Sequence, residues 1–131
     1  MCVFCEIIKG NIPSKKIWED EDAIAILDIS QTTKGHSLVI PKKHYENVLQ
    51  MPAEEFAGLM KKVRKSTIDI TTNLNAKGCN ILINTNEAAG QSVPHAHVHI
   101  IPRYAESDSI SIQFKENDFD LDDILKQIKA E

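Results

Sequence analysis

Two hydrophobic rhythms divide this chain. Early on, apolar and polar residues run in short extended stretches. Lys15–Glu19 and Ala23–Leu27 read as two strands joined through the acidic turn "EDED" at 19–22. "HSLVIPK", His36–Lys42, reads as a third strand, closed by Pro41. Then the period lengthens. From Pro52 to Asn73, Phe56, Met60, Val63, Thr67, Ile70 and Leu74 recur at alternating steps of four and three, which is one face of a helix. Pro52 suits the first helical turn, and Glu54 and Glu55 suit the positive end of the helix dipole. "CNILIN", Cys79–Asn84, and "HAHVHIIP", His95–Pro102, read as strands again. Cys5–Lys9 predicts a short helix that stops at Gly10, with Pro13 beyond it. Leu121, Ile124, Leu125 and Ile128 mark another short helix near the C-terminus. Five strands, one long helix and hairpin-length early links predict an α+β fold with a largely antiparallel sheet.

Composition narrows the classes. The chain has 131 residues, with no internal repeat, low-complexity segment or Ser/Gly linker, so one domain spanning 1–131 is expected. Its net charge of −4 argues against nucleic acid as a non-specific partner. The acidic blocks at 19–22 and 118–123 are read as solvated surface. No apolar run approaches the roughly 20 residues of a membrane span, so no membrane partner is expected. "MCVFCEIIKG" carries neither a basic n-region nor an apolar h-region, so no secretory leader is expected. Three cysteines make a poor disulfide framework, and the reducing cytoplasm is the expected compartment.

The chemistry concentrates in "GQSVPHAHVHIIPRY", Gly90–Tyr104. A strand sends successive side chains to opposite faces, with about 6.6–6.8 Å between alternate residues. His95, His97 and His99 then share one face, and Ala96, Val98 and Ile100 the other. The outer two histidines lie about 13 Å apart on that spacing. Zn–N bonds are only about 2.0–2.1 Å, so the three cannot all grip one ion, although adjacent pairs can. The row has room for two jobs. The bland alternative, a solvent-facing polar strand, fits poorly with the clean apolar alternation opposite.

Weaker signals surround this row. Gly90-Gln91-Ser92 forms a turn able to hold an anion. Gly35-His36 opens a strand, Asp28 follows "AIAIL", and Asn84 ends "CNILIN". Cys2-x-x-Cys5 has metal-ligand spacing. A redox pair wants a preceding strand that is absent here, and inert thiols are the third reading. Two thiolates need two more ligands for a closed tetrahedral site, from among His36, His44, His95, His97 and His99. Cys79, inside an apolar strand, reads as a core thiol.

His95-Ala96-His97-Val98-His99-Ile100-Ile101 matches the signature in which three histidines alternate with apolar residues, and so the chain resembles the histidine triad (HIT) nucleotide hydrolases and transferases. The likeness extends through "VFCEIIKGNIPSKKIWED", "AILDIS", "KGHSLVIPKKH" and "LINTNEAAGQSV". It covers residues 2–104 and leaves 105–131 as a tail with a short helix. The chain is most similar to small bacterial-type members near the Hint branch.

The resemblance implies roles. His97 is the nucleophile that attacks the α-phosphorus of a nucleoside phosphate derivative, forming a nucleotidyl-histidine that water then hydrolyses. Its other ring nitrogen is held by a backbone carbonyl. His99 and His36 stabilise charge on the non-bridging oxygens, and Ser92, with Gly90 and Gln91, positions the phosphate. Asp28 accepts from the ribose hydroxyls beside the Ile29 backbone, Asn84 reaches the phosphate side, and Phe4, Ile7 and Ile26 wall the base pocket. Members with Cys-x-x-Cys imply a structural zinc on Cys2, Cys5, His44 and His95. They also imply a homodimer that joins two sheets into one ten-stranded sheet.

The expected activity is hydrolysis of a purine nucleoside phosphoramidate or acyl-nucleotide to the monophosphate. Asp28 tilts the expectation away from the diadenosine-polyphosphate branch, which more often has Asn there. Dinucleoside polyphosphate hydrolysis is the alternative within the same chemistry. A nucleotide-binding regulator with vestigial catalysis and a zinc hydrolase are the readings from other classes. Four closed Cys/His ligands would leave the zinc hydrolase no position for water.

Overall fold

The computed structural model describes residues 2–130. Five strands form one antiparallel sheet: β1 (Lys16–Glu19), β2 (Ala23–Leu27), β3 (Ser37–Pro41), β4 (Gly78–Leu82) and β5 (Val98–Arg103). Their spatial order is β1-β2-β3-β5-β4, so β1 and β4 are the edges. The helices are α1 (Val3–Ile8), α2 (Ala53–Asn73) and α3 (Leu121–Lys129).

The sheet buries both of its faces because its central strands are apolar on both sides. One face presents Ala23, Ala25, Val39, Val98 and Ile100 to α2, which buries Leu59, Val63 and Ile70 against them. Each such side chain contributes about 1.5–3 kcal/mol by leaving water. Phe56, Met60 and Leu74 pack at the margin of this core, so the predicted helix face is the one used. The opposite face presents Ile24, Ile26, Leu38 and Ile40, and here Phe4 of α1 closes the core with Ile7 and Ile8 beside it. His99 sits directly across from Leu38 on β3 and Leu82 on β4, which puts it on this second face.

Several boundaries differ from the sequence expectation. The fifth strand begins at Val98 rather than His95, because Ala96 N–H bonds to the Tyr45 carbonyl in the loop after β3 instead of to a ladder partner. The apolar alternation nevertheless persists, since Ala96 joins Val98 and Ile100 in the α2 core. The first helix starts at Val3, with the Cys2 sulfur accepting the Cys5 N–H as its N-cap. Pro52 is the cap of α2 rather than part of its first turn. The fourth strand stops at Leu82, leaving Asn84 in the following loop. Cys79 is half-buried on that edge strand and is not a core thiol.

The acidic turn after β1 is exposed but ordered. Asp20 accepts the N–H groups of Asp22 and Ala23, and its carboxylate lies 2.8 Å from Lys62 Nζ. The hydrogen bond from Lys62 holds its pKa down at about 2. Beyond Ile110 the tail is exposed throughout up to α3, whose cap Asp120 accepts from Asp122 and Asp123 N–H. Among the described residues, no helix is long and apolar enough to cross a membrane.

Gly35 delivers His36 to β3. It adopts φ +91°, and a Cβ there would press on Leu74 Cδ1 and lie 3.3 Å from Pro102 Cγ. Gly35→Ala is therefore expected to cost about 1–3 kcal/mol, read as a lower urea midpoint at unchanged m-value.

Candidate active and metal site

Two polar clusters occupy the α1 side of the sheet. The first gathers Cys2, Cys5, His44 and His95, whose donor atoms all lie within 4.8 Å of one another. His95 Nδ1 is 3.3 Å from Cys2 Sγ, 3.5 Å from Cys5 Sγ and 3.1 Å from His44 Nδ1, while Cys5 Sγ is 3.3 Å from His44 Nδ1. A tetrahedral ion with Zn–S of about 2.3 Å and Zn–N of about 2.0–2.1 Å sets ligand–ligand edges of about 3.3–3.8 Å. The cluster is close to that size. Its lone pairs also point the right way. His95 Nε2–H donates to the Pro41 carbonyl at 2.8 Å, so Nδ1 carries the free pair. Burial pushes the Cys5 thiol pKa up, and the neighbouring Cys2 sulfur adds to this, which is a cost to ionising Cys5. A bound dication reverses that cost. The residues present fit a structural zinc with no ligand position left over.

The second cluster is His97, His99, His36 and Asp28. His97 Nδ1–H donates to the His95 carbonyl at 2.7 Å. A neutral imidazole has one donor and one acceptor, so Nε2 keeps its lone pair. Burial holds the His97 pKa below the ordinary imidazole value, only partly offset by that hydrogen bond and by the Asp28 charge. His36 is buried, and its Nδ1 accepts the Thr32 N–H at 3.4 Å. Its Nε2–H therefore donates to His99 Nδ1, 3.0 Å away. That polarity leaves the proton of neutral His99 on Nε2. Burial, with His97 and His36 beside it, pushes the His99 pKa down to about 4. Asp28 Oδ1 accepts the Ser30 N–H at 2.8 Å, and its Oδ2 lies 3.6 Å from His36 Nε2.

The remaining expected residues fall around these rings. The Phe4 ring is nearly perpendicular to both His95 and His97, with ring centroids 5.9 and 4.9 Å away. Ile26 shares its core cluster, with Ile7 packed against it. Ile29, 98% exposed, follows Asp28. Gly90 takes a left-handed conformation, and Asn84 flanks it: a Cβ on Gly90 would lie 3.7 Å from Asn84 Nδ2. Ser92 is exposed at the next turn. Gln91 is buried, and its amide is engaged by main-chain groups. Sequence reasoning missed Thr32, Pro41 and Tyr45, which act through backbone atoms and so leave no side-chain signal.

The model of the HIT domain matches residues 9–106. A HIT-like protein of Methanocaldococcus jannaschii is 48% identical over 131 residues, covering 99% of this chain and 100% of its own. An adenosine 5′-monophosphoramidase of Schizosaccharomyces pombe is 38% identical over 111 residues, covering 85% of this chain and 80% of its own. The crystal structure of a HIT family member from Bacillus subtilis superposes with a TM-score of 0.90 at 44% identity, over 98% of this chain and 93% of that one. With the signature histidines, the five-stranded sheet and these relatives in agreement, the chain belongs to the HIT domain family.

Proposed function

We propose that this protein hydrolyses a purine nucleoside phosphoramidate or acyl-nucleotide to the nucleoside monophosphate through a covalent adduct on His97. One observation carries the reading: the His97 ring is fixed by the His95 carbonyl with Nε2 unprotonated, beside a second neutral ring, His99, with a proton to donate.

The chemistry follows from those protons. His97 Nε2 attacks the α-phosphorus, forming a P–N bond as the bond to the leaving group breaks; an amine departs neutral with a proton taken from solvent, and an acyl oxygen departs as the carboxylate. Positive charge appears on the imidazole, and the His95 carbonyl oxygen stabilises its Nδ1–H. His99 Nε2–H donates to a non-bridging oxygen, with His36 behind it as the donor that fixes its tautomer. Water then attacks the adduct, the P–Nε2 bond breaks with its electron pair returning to neutral His97, and the spare water proton passes to solvent as the monophosphate leaves. Ser92 and the Gly90 turn receive the phosphate, with Asn84 at their side. Asp28 accepts from the ribose beside the Ile29 backbone, and Phe4, Ile7 and Ile26 bound the base. The phosphoramidase name of the yeast relative supports this choice over dinucleoside polyphosphates.

Zinc on Cys2, Cys5, His44 and His95 would brace α1 against the histidine segment and leave the chemistry to His97. A homodimer would use the free β4 edge, where Ile81 is exposed.

Three outcomes are expected. Rapid quench with adenosine 5′-phosphoramidate followed by intact mass should show a nucleotidyl adduct that His97→Ala lacks. Turnover should fall in that variant by about three orders of magnitude or more; survival of turnover would end the proposal. Native mass should show zinc on the wild-type chain and little on Cys5→Ser, with a thermal midpoint lower by several degrees in the variant. Finally, His99 takes up a proton less readily folded than unfolded, so the unfolded chain binds more protons between its ordinary value of 6.5 and about 4. Stability should therefore fall as pH drops through that window, and His99→Asn should flatten the slope of urea midpoint against pH.

A further inference from the structure

The Gln91 side chain turns inward, where main-chain groups take up its amide. Gln91 is 8% exposed. Its carboxamide oxygen accepts the Asn86 N–H at 2.7 Å. Its Nε2 hydrogens donate to the Glu46 carbonyl at 2.6 Å and the Val93 carbonyl at 2.9 Å. All three partners are main chain, and both donor hydrogens are spent.

Those partners belong to separate segments. Asn86 opens the loop before the phosphate turn, with a positive φ of +71°, and its carbonyl also accepts the Gln91 N–H at 3.1 Å. Val93 follows Ser92, and its carbonyl also accepts the His95 N–H at 2.8 Å. Glu46 lies two residues beyond His44. A second stitch runs in parallel: buried Asn47 donates from Nδ2 to Asn86 Oδ1 at 3.1 Å. A third is the 2.7 Å bond from Ala96 N–H to the Tyr45 carbonyl. The loop that starts at His44 is thus sewn to the phosphate turn and to the histidine segment at three consecutive residues.

We propose that Gln91 is a positioning residue that clasps the phosphate turn to the metal-ligand loop, so that filling the metal site and ordering the turn around Ser92 favour one another. This rests on the preceding reading that the turn receives the phosphate. Such coupling is reciprocal: whatever loosens the turn weakens metal binding, and a phosphate on the turn strengthens it.

The test uses the full-length zinc-loaded protein with Gln91→Glu and Gln91→Met. Methionine keeps the length without the polar atoms. Glutamate keeps the acceptor but loses both donors until it is protonated. Three quantities are measured: kcat/KM for adenosine 5′-phosphoramidate, zinc affinity by competition with a chromophoric chelator, and the Kd of adenosine, which lacks the phosphate. Both variants should lose about tenfold or more in kcat/KM and about fivefold in zinc affinity, with adenosine binding retained. Relative to wild type, the glutamate variant should recover activity as pH falls toward the carboxyl range, and the methionine variant should not. Wild-type zinc affinity in both variants would overturn the clasp. So would a joint loss of zinc, turnover and adenosine binding, which is the mark of simple unfolding. If the wild-type protein itself fails to turn over the phosphoramidate, the functional reading falls separately. The clasp is then judged by whether adenosine monophosphate raises zinc affinity about fivefold in the wild type and leaves the variants unmoved; no rise in the wild type overturns it.

Discussion

The hydrogen bond from His97 Nδ1 to the His95 carbonyl is the constraint on which the site depends. Its net worth to folding is only about 1 kcal/mol. Its effect on chemistry is larger, because it decides which nitrogen carries the lone pair. The carbonyl can do this only if His95 does not move. His95 is fully buried and is held at several points: its N–H on the Val93 carbonyl, its Nε2–H on the Pro41 carbonyl, and its Nδ1 toward two sulfurs and His44. One residue thus turns its ring into the Cys2–Cys5–His44 cluster and acts as a tautomer clamp on His97 through its backbone.

Packing makes this arrangement affordable on a sheet face that would otherwise be wholly apolar. Ala96, Val98 and Ile100 anchor the segment to the α2 core, so the alternate residues are forced to the opposite side. There Phe4 packs T-shaped against two imidazoles. Burial favours the neutral form of the His95, His97 and His99 rings. Neutrality is what a nucleophile and a neutral donor both require, so the environment that costs solvation also sets the protonation states.

Much of this was legible in the sequence. The alternation of His95, His97 and His99 with small or branched apolar residues gave the two-faced segment, and the four-three spacing through Val63 and Ile70 gave the helix that covers one face. The Cys2-x-x-Cys5 spacing raised a metal, although spacing alone left five histidines as candidate partners. The start of β5 was misread because periodicity reports side-chain direction, and the segment from His95 to His97 keeps that direction while its N–H groups bond to loops. The Gln91 clasp was hidden for a related reason: a glutamine in a glycine turn looks like a ligand contact, and only the positions of three main-chain groups reveal that its amide is already used.

Hydrogen-bond polarity separates the two clusters more sharply than composition does. Asp28, His36 and His99 also bring donor atoms within 4.8 Å of one another, as a cation site would. Yet the Thr32 N–H points at His36 Nδ1, which fixes the proton on Nε2 and aims it at His99. A cation there would need the Nε2 lone pair and would push that proton to Nδ1, setting two donors against each other. In the Cys2–Cys5–His44–His95 group the Pro41 carbonyl does the opposite: it takes the His95 Nε2 proton and leaves Nδ1 bare toward the sulfurs. Backbone groups outside each cluster therefore leave one with bare donor atoms that fit a metal and make the other a directed chain of hydrogen bonds that ends at His99.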